Sequence, residues 1–178
     1  MLLKAAAVVW GFAEATLFFI VPDVLISYVA VKRLPAAMLC CALATGGALA
    51  GGTVMYLLGG YNADETLRAI DIVPAISPRM IDKVGNGLEQ GGISTMLVGA
   101  FIGTPYKIYA TKAGALGISL PLFLLVSIPA RLLRFVAVAL LVHGISRLLG
   151  GWDERRKLRL LTGFWVVFYI VFLSLMPG

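Results

Sequence analysis

The sequence predicts an all-helical (all-α) integral membrane domain made of two inverted repeats, each a re-entrant hairpin followed by a transmembrane helix, and a C-terminal transmembrane helix. Three observations predict it. Of 178 residues, 60% are hydrophobic and only 13% charged, against roughly 45–50% and 25% in an ordinary soluble domain, and the mean hydropathy is +0.95. Five apolar stretches follow one another, at 5–31, 36–60, 93–118, 119–146 and 160–177. Two of them contain a proline beside a charge, Pro22 before Asp23 and Pro105 before Lys107, and broken backbone at membrane depth is tolerated only under a cover of protein or water.

The first stretch, 5–31, exceeds the apolar core of a secretory signal, carries Glu14 and Asp23, and lacks a small-x-small cleavage site, so it reads as mature structure. At 1.5 Å per residue a helix from Ala5 to Val21 rises about 25 Å and one from Asp23 to Lys32 about 15 Å, too little for a second crossing of about 30 Å. The second stretch, 36–60, is uncharged and reads as a plain span. Its Gly46, Gly47, Gly51 and Gly52 form two offset small-xxx-small pairs that allow close backbone approach.

Residues 61–92 are polar and mixed, and predict two short interfacial helices. Asp64 is the expected N-cap of the first. The second begins at Ser77-Pro78, places Met80, Ile81, Val84 and Leu88 at helical spacing, and stops at Gly91-Gly92. The third apolar stretch, 93–118, carries Pro105, Lys107 and Lys112 and runs into Leu120-Pro121 without a charged loop, which favours a second hairpin. Phe18 and Phe101 each stand four residues before the hairpin proline, a weak internal repeat. Two broken segments in matching positions of two halves point to a midplane site.

The fourth stretch, 119–146, carries Arg131 and Arg134, and the basic run at 150–159 reads as a cytoplasmic turn before the uncharged span 160–177. The positive-inside rule does not choose between hairpins and five full crossings, because Lys32 and Arg33 exchange sides with Arg68, Arg79 and Lys83 between the two. The segment 61–92 distinguishes them, lying outside with hairpins and inside with five crossings.

Function is sought at the six charges inside apolar stretches, Glu14, Asp23, Lys107, Lys112, Arg131 and Arg134. On a straight helix Glu14 and Asp23 would face opposite ways, but a break at Pro22 lets both line one cavity. Together they are candidates for proton or ion coupling. Arg131 and Arg134 are three apart on one helix face and present two forked donors that match carboxylate or phosphate. They, with Lys107, are the candidate headgroup-binding set. The alternative is that the arginines only neutralise Glu14 and Asp23 as buried ion pairs.

The net charge of +6 comes from dispersed basic residues, which excludes a nucleic-acid face and favours membrane lipids with anionic headgroups as partners. A homo-oligomer stays open. Cys40 and Cys41 are adjacent, neither a disulfide framework nor a zinc spacing, and His143 is alone, so no metal is expected. No G-x-S-x-G, H-E-x-x-H or Walker pattern occurs, so no cofactor is expected and enzyme chemistry is disfavoured. A carrier moving a lipid, a small-ion or proton antiporter, and a non-transporting accessory membrane protein are the readings that remain.

Four segments together resemble the DedA superfamily, also called the VTT or SNARE-associated domain family: EATLFFIVPD at 14–23, GGALAGGTVMYLLGG at 46–60, GTPYKIYATKAGALGI at 103–118 and ARLLRF at 130–135. The resemblance covers most of the chain. It implies two opposed re-entrant hairpins around a midplane cavity in a multi-pass protein of the bacterial inner (plasma) membrane, with Pro22 and Pro105 the candidate hairpin residues and Gly47 and Gly51 the candidate packing residues of the span. It also implies that Glu14 and Asp23 are the embedded acidic pair, that Arg134 with Arg131 is the arginine near the following span, and that a phospholipid or polyprenyl phosphate is translocated. Typical members have a proline-glycine-acid turn and an arginine ahead of the second proline, where this chain has Pro22-Asp23 and Gly103-Thr104. Lys107 is the expected source of the missing positive charge.

Overall fold

The computed structural model describes residues 2–74 and 76–175. In order, the helices are α1 (Leu2–Thr16), α2 (Asp23–Lys32), α3 (Leu34–Tyr61), α4 (Ala63–Asp71), α5 (Pro78–Gly91), α6 (Thr95–Phe101), α7 (Tyr106–Ala115), α8 (Leu120–Leu148) and α9 (Glu154–Leu175). No strand occurs among the described residues. Three helices, α3, α8 and α9, are long and apolar enough to cross a membrane. The stretches 5–31 and 93–118 do not form single helices; each is divided into two pieces too short to span about 30 Å.

The first break begins earlier than its proline. Thr16 turns its hydroxyl onto the carbonyls of Phe12 and Ala13, and Phe18 N reaches back to Ala13 O, so α1 closes at Thr16 and the chain stays irregular until Pro22. Trp10 Nε1 donates to Ile20 O at 2.9 Å, which brings the irregular segment back beside the middle of α1. Pro22 and Pro105 then occupy the same role, each standing at the N-cap of the next helix, where a missing N–H costs nothing. They start helices rather than kink them.

Glycines set how the pieces pack. A Cβ on Gly47 would fall 2.0 Å from Val8 O, one on Gly51 2.7 Å from Phe12 O, and one on Gly11 2.1 Å from Ala44 O. Backbone therefore meets backbone, and α1 runs in the same direction as α3. Gly59 against Thr111 and Gly114 against Tyr56 seat α7 on α3 in the same way, with Gly52 under the Tyr106 ring. Gly46, expected in the same packing stripe, is exposed and meets nothing within 4 Å. The other short helix, α2, runs along α8: Asp23 pairs with Arg134, while His143 Nδ1 and Ser146 Oγ lie 2.9 and 3.1 Å from the carbonyls of Ala30 and Val31. The second short helix of each half thus packs on the long helix of the other half.

The polar segment forms the two short helices expected, with one change of cap. Asn62, not Asp64, is the N-cap of α4, its side chain accepting from Glu65 N, because the helix begins at Ala63 and Asp64 already lies in its first turn. Ser77 is the cap residue of α5 in extended backbone without a side-chain bond, and Ile81, Val84 and Leu88 are buried. Gly92 ends that helix at φ 66°, a left-handed conformation that favours glycine. The basic run at 150–159 is shorter as a turn than expected, since α9 begins at Glu154. Lys157 Nζ donates to Ser146 O at 2.7 Å and Lys32 pairs with Glu154, which fastens the start of α9. Met176 and Pro177 of the expected span 160–177 lie outside the described residues.

Candidate functional site

Five of the six charges inside apolar sequence meet at one place, where the α1–α2 break faces the α6–α7 break. Glu14 arrives on the last turn of α1, Asp23 on the first turn of α2, Lys107 on the first turn of α7, and Arg131 and Arg134 on successive turns of α8. Glu14, Asp23, Lys107 and Arg131 are 5%, 2%, 2% and 2% exposed. Charges so far from water persist only when paired and hydrogen-bonded. The sixth, Lys112, lies on the far side of α7, with its Nζ against Gly85 of α5.

The pairing is specific. Arg131 forms an ion pair with Glu14, and Arg134 Nη2 pairs with Asp23 Oδ2 at 2.7 Å. The Arg131 guanidinium is also held between two rings, 5.0 Å from the Tyr106 centroid and 4.9 Å from that of Phe135. Tyr106 is fixed in turn, its hydroxyl donating to Ser127 Oγ at 2.9 Å and its ring stacked on Phe123. Among the described residues Lys107 forms no ion pair; its Nζ donates to Phe18 O in the other break at 2.8 Å. Three basic side chains therefore face two carboxylates. Among the described residues, Asp23 Oδ1 and Arg131 Nε are buried without a hydrogen-bond partner.

Beside this cluster lies a cavity of about 200 Å³. Its polar lining is Glu14, Asp23, Thr104, Lys107 and Arg134, and both breaks contribute, Phe18, Phe19 and Val21 from one, Gly103 and Pro105 from the other. Gly103 has φ 84°, which bends the second break where the chain passes the cavity. Arg134, whose side chain is 19% exposed, is the arginine that reaches the cavity, while Arg131 is enclosed behind Glu14. Phe101, the counterpart of Phe18 in the sequence repeat, points away and is exposed. His143 bonds the Ala30 carbonyl, and among the described residues no group of His, Cys, Asp and Glu has the arrangement of a metal site.

Sequence reasoning missed two walls, a small one of Val73, Pro74 and Ile76 between α4 and α5 and a larger one on α9. Trp165, Tyr169 and Phe172, at helical spacing on α9, turn toward the cavity, with Phe164 and Phe168 beside them. The Tyr169 hydroxyl accepts from Val21 N at 3.0 Å and Trp165 Nε1 donates to Ser27 Oγ at 2.9 Å, so the wall is tied to the segment that carries Asp23. The spacing of 165, 169 and 172 was the available signal. Pro129, inside α8 two residues before Arg131, was another feature passed over.

The fold and site define an all-helical protein with, among the described residues, three helices long and apolar enough to span a membrane, and a cavity lined by charged side chains where the two helix breaks meet α8 and α9. Comparison of the chain with family models, with curated proteins and with solved structures finds no match.

Proposed function

We propose that the protein is a DedA-type lipid translocase of the bacterial inner membrane, moving a phosphate-bearing lipid, a phospholipid or polyprenyl phosphate, between leaflets. The observation that carries this reading is the third basic side chain, Lys107, in excess of the two acid–arginine pairs at a cavity where two helix breaks meet. A buried charge without a counter-ion costs several kcal/mol. A phosphate in the cavity offsets that cost, with Arg134 supplying a forked donor and Lys107 a point charge. Glu14 and Asp23 then exchange a proton or act as alternating counter-ions while the arginines release them, and the acyl or prenyl tails stay in the bilayer.

In this reading α1–α2 and α6–α7 are re-entrant hairpins that enter from opposite sides, and α3, α8 and α9 cross. The lengths support it: at 1.5 Å per residue the 15 residues of α1 rise about 22 Å and the 10 of α2 about 15 Å. An accessory protein with permanent contacts accounts for the two acid–arginine pairs and for Lys107 on the Phe18 carbonyl, but gives no use to the cavity that Lys107 and Arg134 line. A carrier of small cations is disfavoured by the same excess of basic side chains.

The test is reconstitution into vesicles of phosphatidylethanolamine and phosphatidylglycerol with a trace of fluorescent phospholipid, read by dithionite quenching with and without a proton gradient. Protein should speed the loss of inner-leaflet fluorescence, and Arg134→Gln, assayed as the folded and monodisperse fraction, should abolish the gain, although the buried Asp23 that it leaves unpaired lowers its unfolding temperature. Rates equal to protein-free vesicles, or full activity in Arg134→Gln, would remove the translocase reading. Proton flux without lipid movement would select the antiporter instead.

A further inference from the structure

The last long helix is fastened to the rest of the protein in an unusual way. Only 6% of the apolar window of α9 is buried, against 44% for α3 and 28% for α8, and α2 is its principal neighbour. What holds it is polar. At its start are the Lys32–Glu154 ion pair and the Lys157 bond to Ser146 O; then comes Tyr28 Oη to Thr162 Oγ1 at 2.6 Å. Farther along stand the Trp165–Ser27 and Val21–Tyr169 bonds, beside the cavity. A helix with little packed area and a row of discrete bonds separates at low cost wherever those bonds are few, because dispersion and burial contribute little there.

The bonds run from Glu154 to Tyr169 and, among the described residues, none to another element lies beyond Tyr169. Two of them, at Trp165 and Tyr169, hold the cavity wall that Phe172 completes, with Phe19 edge-on to Tyr169 at 6.2 Å. The outer side of the same helix, with Val166, Val167 and Ile170, is 53–60% exposed. In a chain that crosses a bilayer this side faces lipid, so α9 is what stands between lipid and the cavity.

The Val21–Tyr169 bond also bears on the charges. Val21 immediately precedes Pro22 and Asp23, and Pro22 fixes its own φ, so holding the Val21 N–H sets where the first turn of α2 places the Asp23 carboxylate. We propose that α9 is the lateral door of the cavity and that Tyr169 is its latch, a positioning residue through which opening of the door releases Asp23 from Arg134. A lipid entering beside α9 would thereby free the headgroup donor at the moment it is needed. This rests on the translocase reading for the identity of what enters; the latch itself does not.

Two measurements test it separately from transport. Spin labels at exposed Val54 on α3 and Val171 on α9, in vesicles of phosphatidylethanolamine and phosphatidylglycerol, report the position of the door. The native Cys40 and Cys41 are buried and stay unlabelled. Tyr169→Phe, which keeps the ring and removes the acceptor, should raise the long-distance population several-fold. A hydrophobic carbodiimide reports release of the acid: modification of Asp23 should rise several-fold in Tyr169→Phe while that of Glu14 stays at the parent level. An unchanged distance distribution overturns the latch, and equal increases at Asp23 and Glu14 overturn its coupling to the Asp23–Arg134 pair.

A third arm bridges S27C and W165C with a short bifunctional thiosulfonate, which should slow translocation of the fluorescent phospholipid at least tenfold, with recovery on reduction. Undiminished translocation in the bridged protein overturns the door. A parent protein that moves no lipid overturns the translocase reading, and the distance and carbodiimide arms then decide the latch alone.

Discussion

Lys107 Nζ donates to the carbonyl of Phe18 across a sequence separation of 89 residues, and this 2.8 Å bond joins the two helix breaks. Phe18 lies just past the C-terminal end of α1, where backbone carbonyls lack helical partners and a cation is favoured by the helix dipole. The lysine thus has a structural role, capping α1, and is the basic side chain of the cluster that forms no ion pair among the described residues. Lys107→Met separates the two: the lost bond to the carbonyl costs on the order of 1 kcal/mol, set against removal of a buried charge. We expect thermal unfolding in detergent to shift by only a few degrees and lipid translocation to fall at least tenfold. A variant that unfolds early but still translocates at the parent rate would show that the charge is structural only.

Glu14 and Arg131 are expected to behave as a unit. Removing one partner leaves the other buried and unpaired, so Glu14→Gln and Arg131→Met should each destabilise by about 3–5 kcal/mol, whereas the double variant should recover most of that loss. Arg131 has the larger side to lose, because its guanidinium also sits against Tyr106 and Phe135. A double-mutant cycle on thermal or chemical unfolding measures the coupling. Strict additivity would mean that the two groups are stabilised independently.

The charges that organise the site were legible in the sequence because a membrane makes them expensive: Glu14, Asp23, Lys107, Arg131 and Arg134 stood out against apolar neighbours. Their pairing was not. Helical spacing puts Arg131 and Arg134 on one face but does not say which carboxylate each meets; that depends on where α1 ends, and Thr16 ends it through side-chain bonds to its own backbone. The cavity wall on α9 was hidden for another reason. Trp165, Tyr169 and Phe172 have the composition of lipid-facing residues, and only the bonds to Ser27 and Val21 distinguish them. Glycines in an apolar helix signal close packing in general, but which ones touch a neighbour depends on the crossing helices, as Gly46 and Gly47 show.

Exposure of the 61–92 segment decides the topology. Asn86 lies on the exposed side of α5. With α3 crossing outward and α8 returning, Asn86→Cys should react in intact cells with a thiol reagent that does not cross the membrane. A cysteine placed at Trp152, in the turn between α8 and α9, should react only after the cells are opened. Protection at Asn86 together with reaction at Trp152 would invert the orientation, and reaction at neither or both would exclude the arrangement of three crossings.

Adjacent glycines in α3 supply a controlled test of how α1, and with it Glu14, is positioned. Gly46 is open, so Gly46→Ala removes only the entropic penalty of glycine in a helix and should stabilise by roughly 0.5–1 kcal/mol. Gly47→Ala places a Cβ where the Val8 carbonyl oxygen stands, and because the obstacle is helix backbone, α1 must move as a body. Overpacking of this kind costs about 1–3 kcal/mol. The displacement propagates along α1 to Glu14, which pairs with Arg131, so Gly47→Ala should lose translocation as well as stability, while Gly46→Ala keeps both. Unfolding curves and the vesicle assay on the two variants check the pair, and equal shifts in both would mean that α1 does not seat on Gly47.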